Sequence, residues 1–334
     1  MAANTTRLRP TALSIGSSRS RQLGDSGWDG FTNERNTNGA IMKMEKLLRR
    51  YRVEEGKRFR LKDYDAGDTH GLKSETKGQA QQLLAHGVKE LSRLQDILAA
   101  QDRWGLLMVL QAMDAAGKDG TIKHVMSGVN PQGVQVSSFK APSAEELDHD
   151  YLWRSMKCVP PRGRIGIFNR SYYEEVLVVR VHPELLEKQK LPRTLVTKHV
   201  WQERFEDIKA FERYLTRNGI AVLKVFLHVS KKEQRRRFLE RLQHADKNWK
   251  FSASDLKERE HWDAYQEAYE DLIRSTASEY APWYVVPADN KWFTRLVVAA
   301  AVVHTLEGMN LKYPKVDGAQ KAELEKARAL LEKE

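Results

Sequence analysis

Cysteine is almost absent from this sequence, since Cys158 is the only one among 334 residues. A single cysteine excludes a disulfide framework within the chain and a zinc site built on cysteine pairs, and it fits a reducing compartment. Long hydrophobic runs are missing as well. The most apolar stretch, residues 296–303, is too short to cross a bilayer and predicts a buried helix. We therefore expect a cytoplasmic protein that has no membrane partner.

Acidic residues are scarce near the start of the chain, where the first one is Asp25. Residues 1–40 are instead rich in Ser, Thr, Asn, Gly and Arg, and they offer too little apolar surface to offset the entropy lost on ordering. We predict a flexible N-terminal tail over residues 1–40. An organellar transit peptide is the alternative, because such peptides are also rich in Arg and Ser and poor in acidic residues.

Basic residues are in excess over the whole chain, with 56 Lys and Arg against 45 Asp and Glu, a net charge of +11. This balance predicts attraction to a polyanion, which could be nucleic acid, an acidic lipid surface or a phosphate polymer. Charge alone does not distinguish these three partners, so the choice depends on motifs.

Apolar runs alternate with amphipathic stretches in the order that builds a parallel sheet covered by helices. Strands are predicted at residues 105–111, 134–139, 164–168, 220–229 and 283–286. Helices are predicted to begin near Thr121 and after Ser143, to include residues 205–215 and end at Asn218 and Gly219, and to cover residues 290–307. The expected architecture is a three-layer α/β domain over residues 41–314, followed by a charged helix or tail over residues 315–334.

Residues 111–121 read QAMDAAGKDGT and lie between a predicted strand and a predicted helix, as in a phosphate-binding P-loop. Small residues let backbone N–H groups approach phosphate oxygens, and Lys118 adds a mobile positive charge. The match to G-x-x-x-x-G-K-[ST] is imperfect, because Ala112 replaces the first glycine and Asp119 replaces the hydroxyl residue. A plain strand-to-helix turn is therefore the alternative. Asp114 disfavours it, since a carboxylate beside phosphate needs a cation between them, for which Mg²⁺ is the natural choice.

A second candidate segment follows the predicted strand at residues 164–168 and begins with Asn169 and Arg170. In nucleotide phosphotransferases a magnesium-binding group, usually Asp, lies at such a neighbouring strand end. Asn169 takes that place here, so we expect Glu174 or Glu175 to supply the missing negative charge. The alternative is that both glutamates occupy the first turn of a helix and stabilise its dipole.

A basic segment follows the predicted strand at residues 220–229, and Ser230 is its predicted helix N-cap. Arg237 and Arg241 are spaced so that they share one face of a helix. Because guanidinium groups match phosphate geometry, we predict a helical basic lid over about residues 230–262 that closes on phosphates. The alternative is a charged face that only contacts solvent.

Three stretches, in this order, resemble the polyphosphate kinase 2 family: MDAAGKDGTIKHVMSGVNPQG, then YLWRSMKCVPPRGRIGIFNRSYYEEVLVVRVH, then VFLHVSKKEQRRRFLERL followed by KNWKFS and DLKERxxW. The resemblance covers about residues 51–313. It implies a P-loop kinase-like fold similar to thymidylate kinases and Mg²⁺-dependent phosphoryl transfer between inorganic polyphosphate and nucleotides. It also implies roles at the magnesium ion, at the phosphates and in a polyphosphate channel for Asp114, Lys118, Asn169, Arg170, Arg237 and Arg241.

Many members of that family carry Asp at the position of Asn169 and Asn at the position of Glu174. This chain is similar instead to the subgroup with Asn and Glu there, members of which can phosphorylate nucleoside mono- and diphosphates. The resemblance then implies that Glu174 matters for accepting AMP. We therefore expect reversible transfer of a phosphoryl group from polyphosphate to AMP and ADP, with ATP among the nucleotides bound.

Two alternative functions share parts of this pattern. An ATP-dependent nucleoside monophosphate kinase would use the same fold, and a basic nucleic-acid-binding protein could carry a vestigial P-loop. The second alternative is disfavoured because the sequence shows no recognisable nucleic-acid-binding module, so nucleic acid is not an expected partner. We expect a homo-oligomer, either a dimer or a tetramer.

The candidate site residues fall into four groups. The catalytic group is Asp114, Lys118, Asn169, Arg170 and Glu174. Contacts to phosphate or polyphosphate are predicted for Ala115, Ala116, Gly117, Asp119, Gly120, Thr121, Lys123, Arg180, Arg236, Arg237 and Arg241. Glu174 and Glu175 are predicted to bind the nucleotide, and Asp114, Asn169 and Glu174 to bind Mg²⁺.

Overall fold

One six-stranded sheet organises the part of the chain that the computed structural model describes, residues 45–72 and 77–334. Its strands are β1 (Arg52–Val53), β2 (Gly105–Ala112), β3 (Val134–Ser138), β4 (Ile165–Asn169), β5 (Ile220–His228) and β6 (Trp283–Pro287). The order is β1-β6-β5-β2-β4-β3, and each neighbouring pair is parallel except β1 and β6. The predicted parallel sheet is confirmed, and β1 is an addition that is too short to show a periodic pattern. The tail predicted for residues 1–40 lies outside the described residues.

Strand β2 lies at the centre of the sheet and carries the candidate phosphate loop at its carboxyl end. All eight of its residues are buried, and its register pairs Leu110 with Asn169 of β4 and with Val225 of β5. A strand covered on both faces is apolar along its whole length, which explains why β2 shows no alternation. The register brings the segments after β2 and β4 to the same edge of the sheet.

Helices cover both faces of this sheet. They are α1 (described part, residues 45–51), α2 (Lys77–Gln101), α3 (Lys118–Val125), α4 (Ala144–Leu147), α5 (Trp153–Met156), α6 (Val178–Val181), α7 (Glu184–Glu187), α8 (Val200–Arg217), α9 (Lys231–Gln243), α10 (Ala253–Glu260), α11 (Trp262–Thr276), α12 (Lys291–Gly308) and α13 (Gly318–Leu331). α12 packs against α2 and α3, whereas α8 packs against α11. Because parallel crossovers are right-handed, α2, α3 and α12 cover one face and α8 and α11 the other. The three-layer α/β architecture is confirmed.

Side-chain caps define several helix boundaries where the sequence predicts them. Ser143 caps α4 in a capping box with Glu146, and the Ser230 hydroxyl accepts a backbone N–H at the start of α9. α8 ends at Asn218, and Gly219 follows in the left-handed region with a φ of 82°. The predicted caps are present in the structure because each one satisfies a backbone group that the helix itself cannot satisfy.

The predicted lid consists of two helices with a break between them. α9 ends at Gln243, a 3-10 turn covers Ala245–Lys250, and α10 then runs back along α9. Arg241 lies 3.5 Å from Asp255, and Arg259 donates to the carbonyl of Lys231 at 2.9 Å, so the two helices are antiparallel. The sequence does not reveal this break because neither Gly nor Pro marks it.

The last helix, α13, has only exposed residues, and Asp317 caps it in a capping box with Gln320. It belongs to the same compact unit as the sheet, Lys43–Glu334. The domain limits at residues 41 and 314 stay predictions. Within the described ranges, none of the helices combines the length and the apolar character needed to cross a membrane.

Candidate active site

A cleft of about 690 Å³ opens at the carboxyl edge of the sheet. It is lined by the loop between β2 and α3, the ends of β3 and β4, the lid helices α9 and α10, and the first turn of α12. In open parallel sheets this edge is where ligands bind, because the loops there leave a crevice between neighbouring strands. The cleft is therefore the candidate active site.

The loop between β2 and α3 has the backbone shape of an anion cradle. Ala115 and Gly117 both lie in the left-handed region, with φ of 61° and 108°. Left-handed residues in such a turn direct successive N–H groups toward one point. α3 begins at Lys118, three residues before the predicted start near Thr121, because Gly117 adopts an N-cap conformation that other residues rarely accept. The strain at Ala115 costs about 1 kcal/mol, as is common at ligand sites.

Lys118 extends across this loop from the first turn of α3. Its Nζ donates to the carbonyl of Ala112 at 2.8 Å. Burial lowers the pKa of Lys118, and the nearby carboxylate of Asp114 opposes that shift. Among the described residues no carboxylate forms an ion pair with Lys118, so its charge is available to an anionic ligand.

The end of β4 faces the phosphate loop across the cleft. Arg170 Nη2 lies 3.0 Å from Asp114 Oδ1, and Arg170 Nη1 lies 3.9 Å from Glu174 Oε2. Asn169 Nδ2 donates to Asp119 Oδ1 at 2.8 Å. Arg170 has a φ of 64°, which makes it a second strained residue at the site. The two segments that the sequence predicts to work together therefore do meet in the cleft.

A buried polar cluster holds the end of β4 in place. Tyr172 and Tyr173 both donate to Glu212 of α8, at 3.0 and 2.7 Å, and Lys224 of β5 lies 2.6 Å from the other Glu212 oxygen. The Lys224 and Glu212 side chains are fully buried. A buried ion pair is tolerated only when its remaining hydrogen-bonding groups are satisfied, as they are here. The cluster fixes the backbone that directly follows Arg170.

Arg237 has a different role from the predicted polyphosphate contact. Its Nε donates to Glu233, its Nη1 to the carbonyls of Ala115 and Ala116, and its Nη2 to two carbonyls of the loop before α12. These bonds use all five guanidinium N–H groups, and the side chain is only 4% exposed. Arg237 thus attaches the phosphate loop to α9 and to the α12 loop, and its direct contact with phosphate stays a prediction, since it also lines the cleft.

Two other cations of the lid line the cleft. Arg241 of α9 lies 3.5 Å from Asp255 of α10, and Lys247 Nζ lies 2.6 Å from Glu240 Oε1. Both ion pairs connect parts of the lid that are separated by the break after α9. Arg241 is partly exposed to the cleft and stays a predicted phosphate contact.

Glu175 does not reach the cleft, in contrast to its predicted nucleotide contact. Its Oε2 lies 3.1 Å from Arg204 Nη1, both side chains are 5% exposed, and Gln189 Nε2 donates to the same oxygen at 2.5 Å. Glu174 and Glu175 are successive residues of a 3-10 turn and therefore point in different directions. This carboxylate balances a buried arginine, and its contact with the nucleotide stays a prediction that its position does not support.

Three predicted phosphate contacts also lie outside the cleft. Arg180 of α6 lies 2.6 Å from Asp271 of α11, which holds its guanidinium group away from the phosphate loop. Lys123 is exposed on α3 and does not line the cleft. Arg236 lines a neighbouring cavity, where it pairs with Glu233 at 2.6 Å. These three residues do not line the cleft, and their contacts with phosphate stay predictions, since proximity in sequence to a motif does not fix the direction of a side chain.

A second cavity of about 240 Å³ adjoins the cleft, and Asp114 and Arg170 line both. Glu174 opens into this smaller cavity together with residues of the lid and of α11, namely Asp255, Glu258, Arg259, Tyr265 and Tyr269. Burial raises the pKa of Glu174, and the positive charge of Arg170 opposes this effect. The ion pair between Arg170 and Asp114 therefore lies at the junction of two chambers.

Three cationic residues of the cleft carry no motif in the sequence: Lys140, Lys291 and Arg295. Lys140 follows the predicted strand β3, so the rule that ligands bind at strand ends could have identified it. Lys291 and Arg295 begin a predicted helix. Nothing local indicates that its first turn faces the cleft, because that depends on how α12 packs on the sheet.

The oxygen donors of the cleft fit an open divalent metal site. Within the described part of the chain, no three carboxylate, histidine or cysteine side chains form a closed metal cage. Mg²⁺ does not need one, because it binds through one or two carboxylates and completes its shell with water and substrate phosphates. Asp114, Asp119 and Asn169 supply two carboxylates and an amide oxygen to the same cleft.

Known proteins are similar to this chain in sequence and in fold. Residues 73–314 match the family model described as polyphosphate kinase 2. The ADP-polyphosphate phosphotransferase of Rhodopseudomonas palustris is 51% identical over 258 residues, which cover 77% of this chain and 89% of the relative. The AMP/ADP-polyphosphate phosphotransferase of Meiothermus ruber is 48% identical over 272 residues, covering 81% and 97%.

A solved structure agrees with these sequence matches. The crystal structure of polyphosphate kinase 2 from Arthrobacter aurescens superimposes with a TM-score of 0.77 at 39% identity, and the match covers 87% of this chain and 97% of that one. The family model spans more than half of the chain, and its residues include both segments that meet in the cleft. This chain therefore belongs to the polyphosphate kinase 2 family of phosphotransferases.

Proposed function

We propose that this protein transfers a phosphoryl group from the end of inorganic polyphosphate to AMP and to ADP, reversibly and with Mg²⁺. The observation that carries the proposal is a pair of adjoining cavities of opposite charge that meet at Asp114 and Arg170. A phosphate polymer and a nucleoside need different surroundings. A phosphoryl group can pass between them only where the two binding sites join.

The larger cleft suits the polymer. Eight cationic side chains line it against four carboxylates. The cations are Lys118, Lys140, Arg170, Arg237, Arg241, Lys247, Lys291 and Arg295. A cleft with an excess of positive charge concentrates a polyanion. One guanidinium group can also bind two oxygens of a phosphate at once through two parallel N–H bonds.

The smaller cavity suits the nucleoside. Four carboxylates and two guanidinium groups line it, together with the rings of Tyr265 and Tyr269. Such a cavity disfavours a phosphate chain, whereas carboxylates accept hydrogen bonds from ribose hydroxyls and aromatic rings pack against a base. Glu174 lies in this cavity beside Arg170. Its position supports the role in accepting AMP that the family resemblance implies.

The metal ion proposed here is Mg²⁺, since phosphoryl-transfer enzymes generally work with a divalent cation. The predicted ligands Asp114 and Asn169 would hold it in the larger cleft, where Asp119 offers a further carboxylate, and the third predicted ligand, Glu174, lines the adjoining smaller cavity. Bound there, it would neutralise part of the charge on the adjoining phosphate oxygens.

The protein groups around the junction then have separate tasks. Backbone N–H groups of the phosphate loop hold the terminal phosphoryl group, and the smaller cavity orients the nucleotide oxygen that attacks it. The new oxygen–phosphorus bond forms as the bond from phosphorus to the bridging polymer oxygen breaks. Lys118 and Arg170 stabilise the charge that develops on the transferred group, and removing either contact should raise the barrier by about 3 kcal/mol.

The relatives support this assignment. Of the two that cover most of this chain, one is named an ADP-polyphosphate phosphotransferase and the other an AMP/ADP-polyphosphate phosphotransferase. Their names come from proteins about half identical to this one. The expected homo-oligomer, dimer or tetramer, stays a prediction.

The direct test combines purified protein, Mg²⁺, polyphosphate and either AMP or ADP, without added ATP. We expect ADP and ATP to form, and we expect Lys118→Ala and Asp114→Asn to reduce turnover strongly. Transfer that requires ATP as the donor would indicate a nucleoside monophosphate kinase instead. Tight, salt-sensitive binding of nucleic acid without any transfer would indicate a nucleic-acid-binding protein.

A second pair of variants tests the assignment of the two cavities. Glu174→Gln should raise the KM for AMP and leave the KM for polyphosphate unchanged. Arg241→Gln should raise the KM for polyphosphate and leave the KM for AMP unchanged. If each variant changed both KM values equally, the separation of polymer and nucleoside between the two cavities would be wrong, although the activity itself could stand.

A further inference from the structure

The first turn of α12 lies between the cleft and another cavity. Lys291 and Arg295 line the main cleft and also a neighbouring cavity of about 340 Å³. The neighbouring cavity is otherwise lined by Gln81, Leu84, Glu233, Arg236, Asp289, Asn290 and Trp292, which come from α2, α9 and the start of α12. The side chains of Lys291 and Arg295 therefore lie where the cleft and the neighbouring cavity meet.

These two cations differ from most others of the cleft because no carboxylate of the described residues lies within 4 Å of either one; Glu240 and Glu233 attract Lys291 only from a greater distance. Arg170, Arg237, Arg241 and Lys247 each have an acidic partner within 4 Å. Across the described residues, Lys291 and Arg295 have none. Burial lowers the pKa of Arg295. Burial also lowers the pKa of Lys291, and the positive charge of Arg237 adds to that effect.

Unneutralised, partly desolvated cations destabilise a folded protein unless an anionic ligand binds them. Arg295 lies beside the first turn of α3, directly after the phosphate loop, since a Cβ added at Gly120 would lie 3.9 Å from Arg295 Nη2. The carboxylates of the neighbouring cavity are engaged elsewhere. Glu233 pairs with Arg236 and Arg237, and Asp289 accepts a backbone N–H at the start of α9. An anionic chain that enters from the cleft therefore meets unpaired positive charge along this path.

We propose that Lys291 and Arg295 bind phosphates of the polymer well behind its reacting end and lead the chain over the first turn of α12 into the neighbouring cavity. The proposal rests on the proposed function of the cleft and adds a preference for polymer length. A short polyphosphate occupies only the phosphate loop and the lid contacts. A long one also contacts Lys291 and Arg295, so it binds more tightly.

The test compares tripolyphosphate with long-chain polyphosphate as donors, each at saturating ADP and Mg²⁺. The variant is Lys291→Gln with Arg295→Gln. The matched control is Arg213→Gln with Arg217→Gln, which removes the same charge from two exposed positions of α8 on the opposite face of the sheet. The KM for each donor, in moles of chains, and the kcat are measured for the wild type and both double variants.

We expect the KM for long-chain polyphosphate to rise about tenfold in the α12 variant, which corresponds to about 1.4 kcal/mol of binding. The KM for tripolyphosphate should rise much less, because a short chain occupies mainly the phosphate loop and the lid contacts. The control should match the wild type with both donors. An equal rise for both donors, or no rise for the long one, would overturn the proposal.

Failure of the proposed function would look different. In that case the wild type would transfer phosphate from neither donor, and the α12 path would be tested by binding alone. Fluorescently labelled long-chain polyphosphate should then bind the control as tightly as the wild type and bind the α12 variant about tenfold more weakly. Equal binding by all three proteins would reject the path independently of catalysis.

Discussion

Replacing Arg237 by lysine tests whether this side chain holds the phosphate loop or touches the polymer. Arginine donates five hydrogen bonds from a planar group, here to Glu233 and to four backbone carbonyls, from a position that is 4% exposed. A lysine ammonium has only three N–H groups, so at least two bonds are lost. A hydrogen bond from a charged donor contributes about 1.5 kcal/mol or more. Arg237→Lys should therefore lower the free energy of unfolding by about 3 kcal/mol.

The loss of these bonds should also reach the active site. Ala115 and Ala116 would lose the donor that fixes their carbonyls, and a loop displaced by about 1 Å can lower kcat by as much as about 100-fold. Urea unfolding gives the stability change, and initial rates with ADP and long-chain polyphosphate give kcat and KM. We expect the kcat to fall more than the polymer KM rises.

Arg241→Lys is the matched control, because Arg241 lies one turn further along α9 and is partly exposed beside Asp255. Its replacement should change the unfolding free energy by less than about 1 kcal/mol, as is usual for exposed ion pairs, and should raise the polymer KM. The reasoning would be refuted if Arg237→Lys kept wild-type stability and raised only the polymer KM. Arg237 would then contact phosphate directly.

Three further predictions concern catalysis, the buried ion pair and acid stability. Lys118→Met should lower kcat by about 10²- to 10³-fold while labelled polyphosphate still binds, as initial rates and fluorescence anisotropy would measure. Lys224→Met should lower the free energy of unfolding by about 3–5 kcal/mol, because it leaves Glu212 buried without its cation. Replacing Lys224 and Glu212 together by Met and Leu should restore only part of that loss in urea titrations, because the hydroxyls of Tyr172 and Tyr173 then lose their acceptor. Burial lowers the pKa of His228 below its usual value of 6.5. As the pH falls below 6.5, His228 is therefore protonated in the unfolded chain before it is protonated in the folded protein, and the free energy of unfolding decreases. His228→Asn should make this decrease between pH 7.5 and 5.5 smaller, as urea titrations would measure.

The candidate site shows which kinds of residue a sequence can reveal. Asp114 and Lys118 are found from one loop motif, and Asn169 and Arg170 from their position after a strand, because both signals depend on local order. The sequence does not show that Glu174 lines a cavity whereas Glu175 is buried. It depends on Arg204, which lies 29 residues further along the chain and binds one carboxylate deep in the protein.

The lid shows the same division. Ser230 predicts the start of α9, since its hydroxyl caps backbone groups only three residues away. The break after Gln243 and the return of α10 are not predicted, and they bring Asp255 and Glu258 to the second cavity. That return depends on contacts between helices, such as the bond from Arg259 to Gln234 at 2.6 Å.

The amino-acid sequence alone indicated the five parallel strands, several helix boundaries, the phosphate-loop motif and the family, because these follow from periodicity, caps and short motifs whose physics acts over a few residues. Which charges reach the cleft and which are used inside the protein depends on how the elements pack together. Arg237 belongs to a basic run and Arg295 stands alone in the sequence, and neither pattern shows what its guanidinium group contacts. One is consumed by five hydrogen bonds, and the other remains unneutralised beside Gly120, because long-range packing determines what surrounds each guanidinium group.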